Sequence, residues 1–137
     1  KAILIFADLD SLKMINDLFG HDEGDFAIVG AASILKDSFR SSDIVGRIGG
    51  DEFAVFAITE SSAFNSYIRE RMNRITNEFN SSHSKPYLVH MSIGIYEFDC
   101  SAELNLADMM SKADALLNEE KKHKKSVLRE QQGFRLI

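Results

Sequence analysis

An unbroken apolar run, AILIFA at positions 2–7, constrains the fold of this 137-residue chain more than any other feature. A strand whose successive side chains are all apolar is typical of a sheet that is covered on both faces. Asp8 ends the run. The sequence therefore predicts a central β-strand with helices on both sides of its sheet, and it places a carboxylate where that strand ends.

The rest of the chain alternates between two kinds of apolar spacing. Apolar residues recur every three or four positions, as in helices that face a core, in the segments 12–19, 26–39, 64–79 and 106–117. Strand-like segments separate them at 43–48, 52–58 and 87–98. In the second helix, Phe26 and Val29 are expected to lie on the buried face.

The order of these segments indicates the fold class. Gly20 separates the first two predicted helices, and Gly49 and Gly50 mark a β-hairpin. The order β-α-α-β-β-α-β-α predicts an α+β fold, with a mostly antiparallel, ferredoxin-like central sheet flanked by helices. We expect a single domain over residues 1–137, and FRLI at 134–137 is expected to add a short edge strand.

Composition excludes several functional classes. A formal net charge of −5 argues against a nucleic-acid-binding surface, which needs a basic stripe. No apolar run approaches the roughly 20 residues of a membrane span, so no membrane contact is expected of this domain. Cys100 is the single cysteine, which excludes an internal disulfide and suits a reducing cytosol. The histidines lack the spacing of zinc ligands.

Acidic residues stand at the ends of two predicted strands. Asp8 ends the first strand, and Asp51 and Glu52 lie at the hairpin tip. If these strands are neighbours, the carboxylates converge, and converging carboxylates repel one another unless a cation lies between them. An all-oxygen ligand set favours Mg²⁺ or Mn²⁺. The alternative is that the acids are ordinary turn and capping residues.

Long segments of the chain resemble one known family. DLDSLKMINDLFGHDEGD at 8–25 and RSSDIVGRIGGDEF at 40–53 are similar to the GGDEF domain of bacterial diguanylate cyclases. The family signature is intact on the predicted hairpin at Gly49, Gly50, Asp51, Glu52 and Phe53. The resemblance extends from the first strand to about Val127 and implies the palm-type nucleotidyl cyclase fold.

The resemblance implies an activity and a metal site. Family members condense two GTP molecules into cyclic di-GMP and release pyrophosphate, with one GTP on each domain of a facing homodimer. Asp8, Asp51 and Glu52 match positions at the metal site, and Leu9 matches one that offers its backbone carbonyl. Two Mg²⁺ or Mn²⁺ ions per active site are implied. Asp51 and Glu52 match the catalytic acids, and Asp51 is the one implied in deprotonating the 3′-hydroxyl.

Further positions match substrate-binding residues of the family. Asn16 and Asp25 match the guanine-binding pair; the alternative is that both cap or stabilise helix ends. Gly49 and Gly50 let the backbone approach the phosphates. Three lysines match family positions that contact the phosphates of the substrate: Lys13, Lys121 and Lys125.

The end of the last helix departs from the family pattern. Lys124, Lys125 and Ser126 stand where the family has Gly-Arg-Asn. Lys125 keeps the charge of the usual arginine but loses its bidentate fork. Lys122 and Lys124 are expected to be solvent-exposed lysines near a helix C-terminus.

RSSD at 40–43 matches the family's inhibitory site for the product cyclic di-GMP, with Arg71 as a second contact. An arginine can clamp guanine or phosphate in a bidentate manner. The alternative is that Arg40 ends a helix and Asp43 starts a turn.

The family resemblance also indicates the cellular context. We expect a cytoplasmic domain fused to a sensor, either in a soluble protein or as the cytoplasmic part of a membrane-anchored bacterial sensor. Compared with the family, the N-terminal segment before the first strand is expected to be absent. Two alternatives stay open: a non-catalytic regulatory module that binds GTP or cyclic di-GMP, and a different palm-type cyclase or polymerase fragment.

Overall fold

The computed structural model describes residues 1–60, 63–101, 103 and 105–135, and the side chains of residues 127–135 lie outside this description. The elements follow the predicted order: β1 (Ala2–Leu9), α1 (Leu12–Phe19), α2 (His21–Ser38), β2 (Ile44–Arg47), β3 (Glu52–Ile58), α3 (Phe64–Ser81), β4 (Met91–Phe98) and α4 (Leu106–Arg135).

The strands form one antiparallel sheet in the order β2-β3-β1-β4. β1 is therefore flanked by a strand on each side, and every one of its 8 residues is buried. This confirms the central strand that the apolar run predicts, and with it the α+β fold. Asp8 pairs with Glu52 of β3 and with Ser92 of β4, so the end of β1 lies beside the hairpin tip.

Two cores form because successive side chains of β1 point to opposite faces of the sheet. Ile3, Ile5 and the other odd-numbered residues pack with side chains of α1, α2 and α3. Leu4 and Phe6 pack with Met109, Ala113 and Leu117 of α4. The sheet thus carries three helices on one face and α4 on the other.

The buried face of α2 agrees only in part with the prediction, since Phe26 is half-buried and Val29 is not buried. Val29 is 68% exposed, whereas Ala27, Gly30 and Ala31 are buried. Gly30 lies against the ring of Phe79 in α3, and a Cβ at position 30 would clash with that ring. A small residue is therefore needed at position 30, where a side chain of α3 packs directly onto the backbone of α2.

Helix α4 packs against β4 as closely as α3 packs against α2. A Cβ on Gly94 would meet backbone atoms of α4 at Ala113 and Leu117.

The edge strand predicted at 134–137 is wrong for residues 134 and 135, which continue α4, and the last two residues lie outside the described ranges. Every helix within the described ranges is too short or too polar to cross a membrane.

Candidate active site

Three carboxylates meet where β1 ends beside the hairpin. Asp8 and Glu52 are partners in the β1–β3 ladder, and the N–H of Leu9 donates to the carbonyl of Asp51 at 2.8 Å. One oxygen each from Asp8, Asp51 and Glu52 lies within 4.8 Å of the others. The structure therefore brings together the acidic residues and the backbone position that the sequence analysis named as metal ligands.

Burial makes Asp8 unusual within this cluster. Its residue is 6% exposed, and its Oδ1 atom has no hydrogen-bond partner among the described residues. Burial raises the pKa of the Asp8 carboxyl, the hydrogen bond from Lys121 opposes that rise, and the neighbouring Asp51 adds to it. An oxygen in this state is poorly satisfied by protein groups alone.

Lys121 of α4 supplies the positive charge nearest to the cluster. Its Nζ donates a hydrogen bond to Asp8 Oδ2. Burial lowers the pKa of Lys121, but the bond to Asp8 and the charges of Asp8, Asp51 and Asp10 outweigh this effect, so the pKa is raised. The ammonium group therefore stays charged and compensates part of the acidic cluster.

The cluster fits a hard divalent cation. It offers oxygen donors from one buried, one half-buried and one exposed carboxylate, and one buried oxygen lacks a partner. Mg²⁺ and Mn²⁺ prefer carboxylate oxygens and leave further positions to water and phosphates. Metal binding by these residues stays a prediction.

The hairpin tip is held by Arg47, whose role was not predicted from the sequence. Its Nε and Nη2 atoms donate to the carbonyls of Gly49 and Gly50 at 3.0 and 2.7 Å. The N–H of Ile48 donates to the carbonyl of Glu52 at 2.9 Å, so the connection spans residues 48–51. A Cβ on Gly50 would meet no atom within 4 Å, which leaves open space beside the acids.

A cavity of about 460 Å³ opens beside Asp8 and Asp51. The lysines predicted to contact phosphate all line it: Lys13, Lys121 and Lys125. Lys124 lines it as well, which corrects the prediction of a solvated lysine. Its Nζ donates to Asp10 Oδ2 at 2.9 Å and to the Met91 carbonyl at 2.8 Å.

The Asn16 side chain lies where α1 meets α2, the helix that carries Asp25. Gly20 separates the helices with a φ of 95°, a conformation that favours glycine, and its N–H donates to the Asn16 carbonyl at 2.9 Å. The Asn16 side chain lies against Gly24, the residue that precedes Asp25. A Cβ on residue 24 would collide with the Asn16 side chain. The structure therefore places Asn16 beside the first turns of α2, and guanine binding by Asn16 and Asp25 stays a prediction.

The first turn of α2 is also tied to the connection between α3 and β4. Glu23 accepts hydrogen bonds from Lys85 at 2.6 Å and from the Tyr87 hydroxyl at 2.7 Å. The bond from Lys85, followed by that from Tyr87, lowers the pKa of Glu23, while burial and Glu23 raise the pKa of Tyr87. This contact anchors the residue next to Gly24.

The RSSD segment lies at a second and larger cavity, of about 1050 Å³. Arg40, Asp43 and Arg71 all line it. The Arg40 N–H donates to Asp43 at 2.8 Å, and its Nη2 donates to the carbonyl of Ile58 at 2.6 Å. The structure thus brings the predicted inhibitory residues together, away from the acidic cluster on β1.

Comparison with known proteins identifies what the chain resembles. The family model for the diguanylate cyclase GGDEF domain matches residues 1–127. Diguanylate cyclase DgcP of Escherichia coli K12 is 36% identical over 126 residues, covering 90% of this chain and 36% of that protein. The probable diguanylate cyclase DgcJ of the same strain is 33% identical over 127 residues, covering 92% of this chain and 25% of that protein. The chain thus spans only about a third or a quarter of these relatives.

Solved structures agree with this match. A form of TpbB (YfiN) from Pseudomonas aeruginosa that comprises only the GGDEF domain is 31% identical, with a TM-score of 0.78 and coverage of 89% of this chain and 72% of that one. The GGDEF domain of DgcB from Caulobacter crescentus, solved in complex with c-di-GMP, is 26% identical, with a TM-score of 0.73 and the same coverage.

Proposed function

Because this chain belongs to the family of diguanylate cyclase GGDEF domains, we propose that residues 1–137 form the single catalytic domain of a diguanylate cyclase. In the reaction, the 3′-oxygen of each of two GTP molecules attacks the α-phosphorus of the other. Each attack forms one P–O bond and releases one pyrophosphate, which gives cyclic di-GMP. The observation that carries the proposal is the cluster of Asp8, Asp51 and Glu52 beside a lysine-lined cavity.

The acidic residues are assigned to metal binding and proton transfer. Two Mg²⁺ or Mn²⁺ ions would be held by Asp8, Asp51 and Glu52, together with the carbonyl of Leu9. When bound, these ions neutralise triphosphate charge and polarise the α-phosphorus. Asp51, at the hairpin tip, accepts the proton of the attacking 3′-hydroxyl.

The phosphate-binding part of the site consists of lysines and glycines. Lys13, Lys121 and Lys125 provide positive charge around the cavity, which lowers the electrostatic cost of binding a triphosphate. Gly49 and Gly50 carry no side chains that would keep the phosphates away from the hairpin tip.

The substrate base is assigned to the end of α1. Guanine presents two N–H donors on one edge, which the Asp25 carboxylate can accept while the Asn16 amide binds the same edge. Adenine offers no such donor pair, and a desolvated carboxylate left without partners costs about 1–3 kcal/mol. The site therefore favours GTP over ATP.

Two copies of the domain are needed to make the product. The described residues contain one acidic cluster and one guanine-binding pair, which is enough for one GTP. A facing homodimer supplies the second GTP. Arg40, Asp43 and Arg71 are assigned to product binding, consistent with the c-di-GMP complex of the DgcB domain. A fused sensor would control the meeting of the two copies in the cytoplasm.

The direct test is to incubate the protein at high concentration with GTP and Mg²⁺ and to separate the nucleotides. We expect cyclic di-GMP and two pyrophosphates per product. Asp51→Asn should abolish the product without changing the fold, while Asp114→Asn, an exposed change on α4, should leave the rate unaltered. Cyclic di-GMP binding without any turnover by the unaltered protein would instead support a non-catalytic regulatory module.

A further inference from the structure

The outer edge of β4 is bound by side chains of α4. Among the described residues β4 pairs only with β1, so it is an edge strand. Glu120 accepts a hydrogen bond from the N–H of Ile93, and Lys124 donates to the carbonyl of Met91 at 2.8 Å. Glu120 and Lys124 are one helical turn apart, while Met91 and Ile93 are two strand residues apart. Two hydrogen bonds therefore hold α4 along the outer edge of β4.

Lys124 makes a second contact that leads to the active site. Its Nζ also lies 2.9 Å from Asp10 Oδ2, and Asp10 accepts a hydrogen bond from the Ser92 hydroxyl at 2.7 Å. Two of the three donors of the ammonium group are thus engaged by protein oxygens. Lys124 is oriented by the protein and is not a free cation facing the cavity.

The two ion pairs of α4 run side by side. Lys121 binds Asp8 and Lys124 binds Asp10, so lysines three positions apart on the helix match aspartates two positions apart at the end of β1. Because one residue of helix corresponds to a rotation of about 100°, a shift of α4 by one residue would break both pairs at once. The pairs therefore define one register of the helix against the sheet.

We propose that Lys124 is a positioning residue, whose bridge between Asp10 and the Met91 carbonyl fixes α4 in the register that directs Lys121 and Lys125 into the cavity. The inference rests on the proposed function, because it takes these two lysines to bind the triphosphate. In this role Lys124 acts through its neighbours and does not contact the substrate.

The test compares Lys124→Met with Lys124→Arg and with Lys122→Met, which removes an exposed charge from the same helix. The probe is a GTP analogue with a methylene group between the α- and β-phosphorus atoms, titrated by calorimetry in Mg²⁺. We expect Lys124→Met to weaken binding about tenfold, as for the loss of a charge-assisted hydrogen bond. Lys124→Arg should restore most of the affinity, and Lys122→Met should change it less than twofold.

Hydrogen exchange separates positioning from direct contact. In the absence of nucleotide, Lys124→Met should speed amide exchange in residues 118–126, and Lys122→Met should not. Asp10→Asn, which breaks the same bridge from the other side, should reproduce both effects, and the double variant should lose no more affinity than either single one.

Several results would overturn the inference. Unchanged affinity in Lys124→Met would do so, as would weaker affinity that adds to the effect of Asp10→Asn without faster exchange, because a direct phosphate contact would then explain it. Failure of the proposed function is a separate result: the unaltered protein would bind the analogue and yet form no cyclic di-GMP. If Lys124→Met does not fold, Asp10→Asn carries the same comparison.

Discussion

The side chain of Asn16 lies so close to Gly24 that no Cβ fits between them. Gly24→Ala should therefore displace Asn16 and weaken GTP binding at least tenfold, as for the loss of well-placed hydrogen bonds. The fold should persist, since alanine favours a helix by about 1 kcal/mol over glycine. Calorimetry with the methylene analogue and thermal denaturation measure the two effects.

A matched control for this change is Gly46→Ala in β2, where a Cβ would meet no atom within 4 Å. Its nucleotide affinity should equal that of the unaltered protein. Equal affinities for Gly24→Ala and Gly46→Ala would show that the position of Asn16 does not matter for binding.

Lys121 donates a hydrogen bond to Asp8, so under the proposed function it would compete with a metal ion for this carboxylate. Lys121→Met removes the ammonium group that compensates part of the acidic cluster. Mn²⁺ alone should therefore bind about fivefold to tenfold more tightly. The GTP analogue should bind more weakly, because the phosphate contact proposed for Lys121 is lost. Opposite signs for the two ligands are the expected outcome, measured by calorimetry with Lys122→Met as the control. A parallel fall in both affinities would mean that Lys121 supports the metal site instead of competing for it.

Glu23 gives the fold a pH-dependent contact. Its folded-state pKa lies below the ordinary value of 4.5, so its contribution to stability is complete above that pH and is lost as the pH falls through the lower, folded-state pKa. Glu23→Gln should therefore lower the urea midpoint at pH 7, and this deficit should shrink as the pH is lowered from 4.5 to 3. The exposed change Glu119→Gln should have no effect at either pH. A deficit of the same size at pH 3 would argue against the ion pair with Lys85 as the cause.

Arg40 lines the cavity of about 1050 Å³ and has an exposed side chain. Arg40→Ala should weaken cyclic di-GMP binding about tenfold or more and relieve product inhibition, because a charged donor is lost. The fold should persist, because the Asp43 side chain, which is only 4% exposed, keeps its hydrogen bond from the backbone N–H of residue 40. Arg74→Ala, an exposed change on α3, serves as the control for charge. Persistent inhibition in Arg40→Ala would place the product elsewhere.

Local patterns predicted much of this molecule. The apolar run of β1 and the spacing of the later segments depend on short-range periodicity, so the order of the elements was accessible from sequence. Asp8 and Asp51 were also expected to meet, because both stand at the ends of strands that become neighbours. Antiparallel pairing alone brings such positions together.

Features that depend on distant partners were not accessible in this way. Helical spacing predicted that Val29 is buried. In the structure Val29 is exposed, and Gly30 faces the ring of Phe79 in α3. Lys124 looked solvated, yet its partner Asp10 lies 114 positions away in the chain. Arg47 likewise gave no signal, because its acceptors are backbone carbonyls. Periodicity carries no information about such contacts.

The central place of β1 has a consequence for control. A strand paired on both sides and buried along its length belongs to the part of a protein that opens only in global unfolding. Asp8 belongs to that strand, so this carboxylate is preformed and is not expected to be switched by local melting. Under the proposed function, a signal acting on this domain is therefore expected to change the separation of two copies and to leave the position of Asp8 within each copy intact.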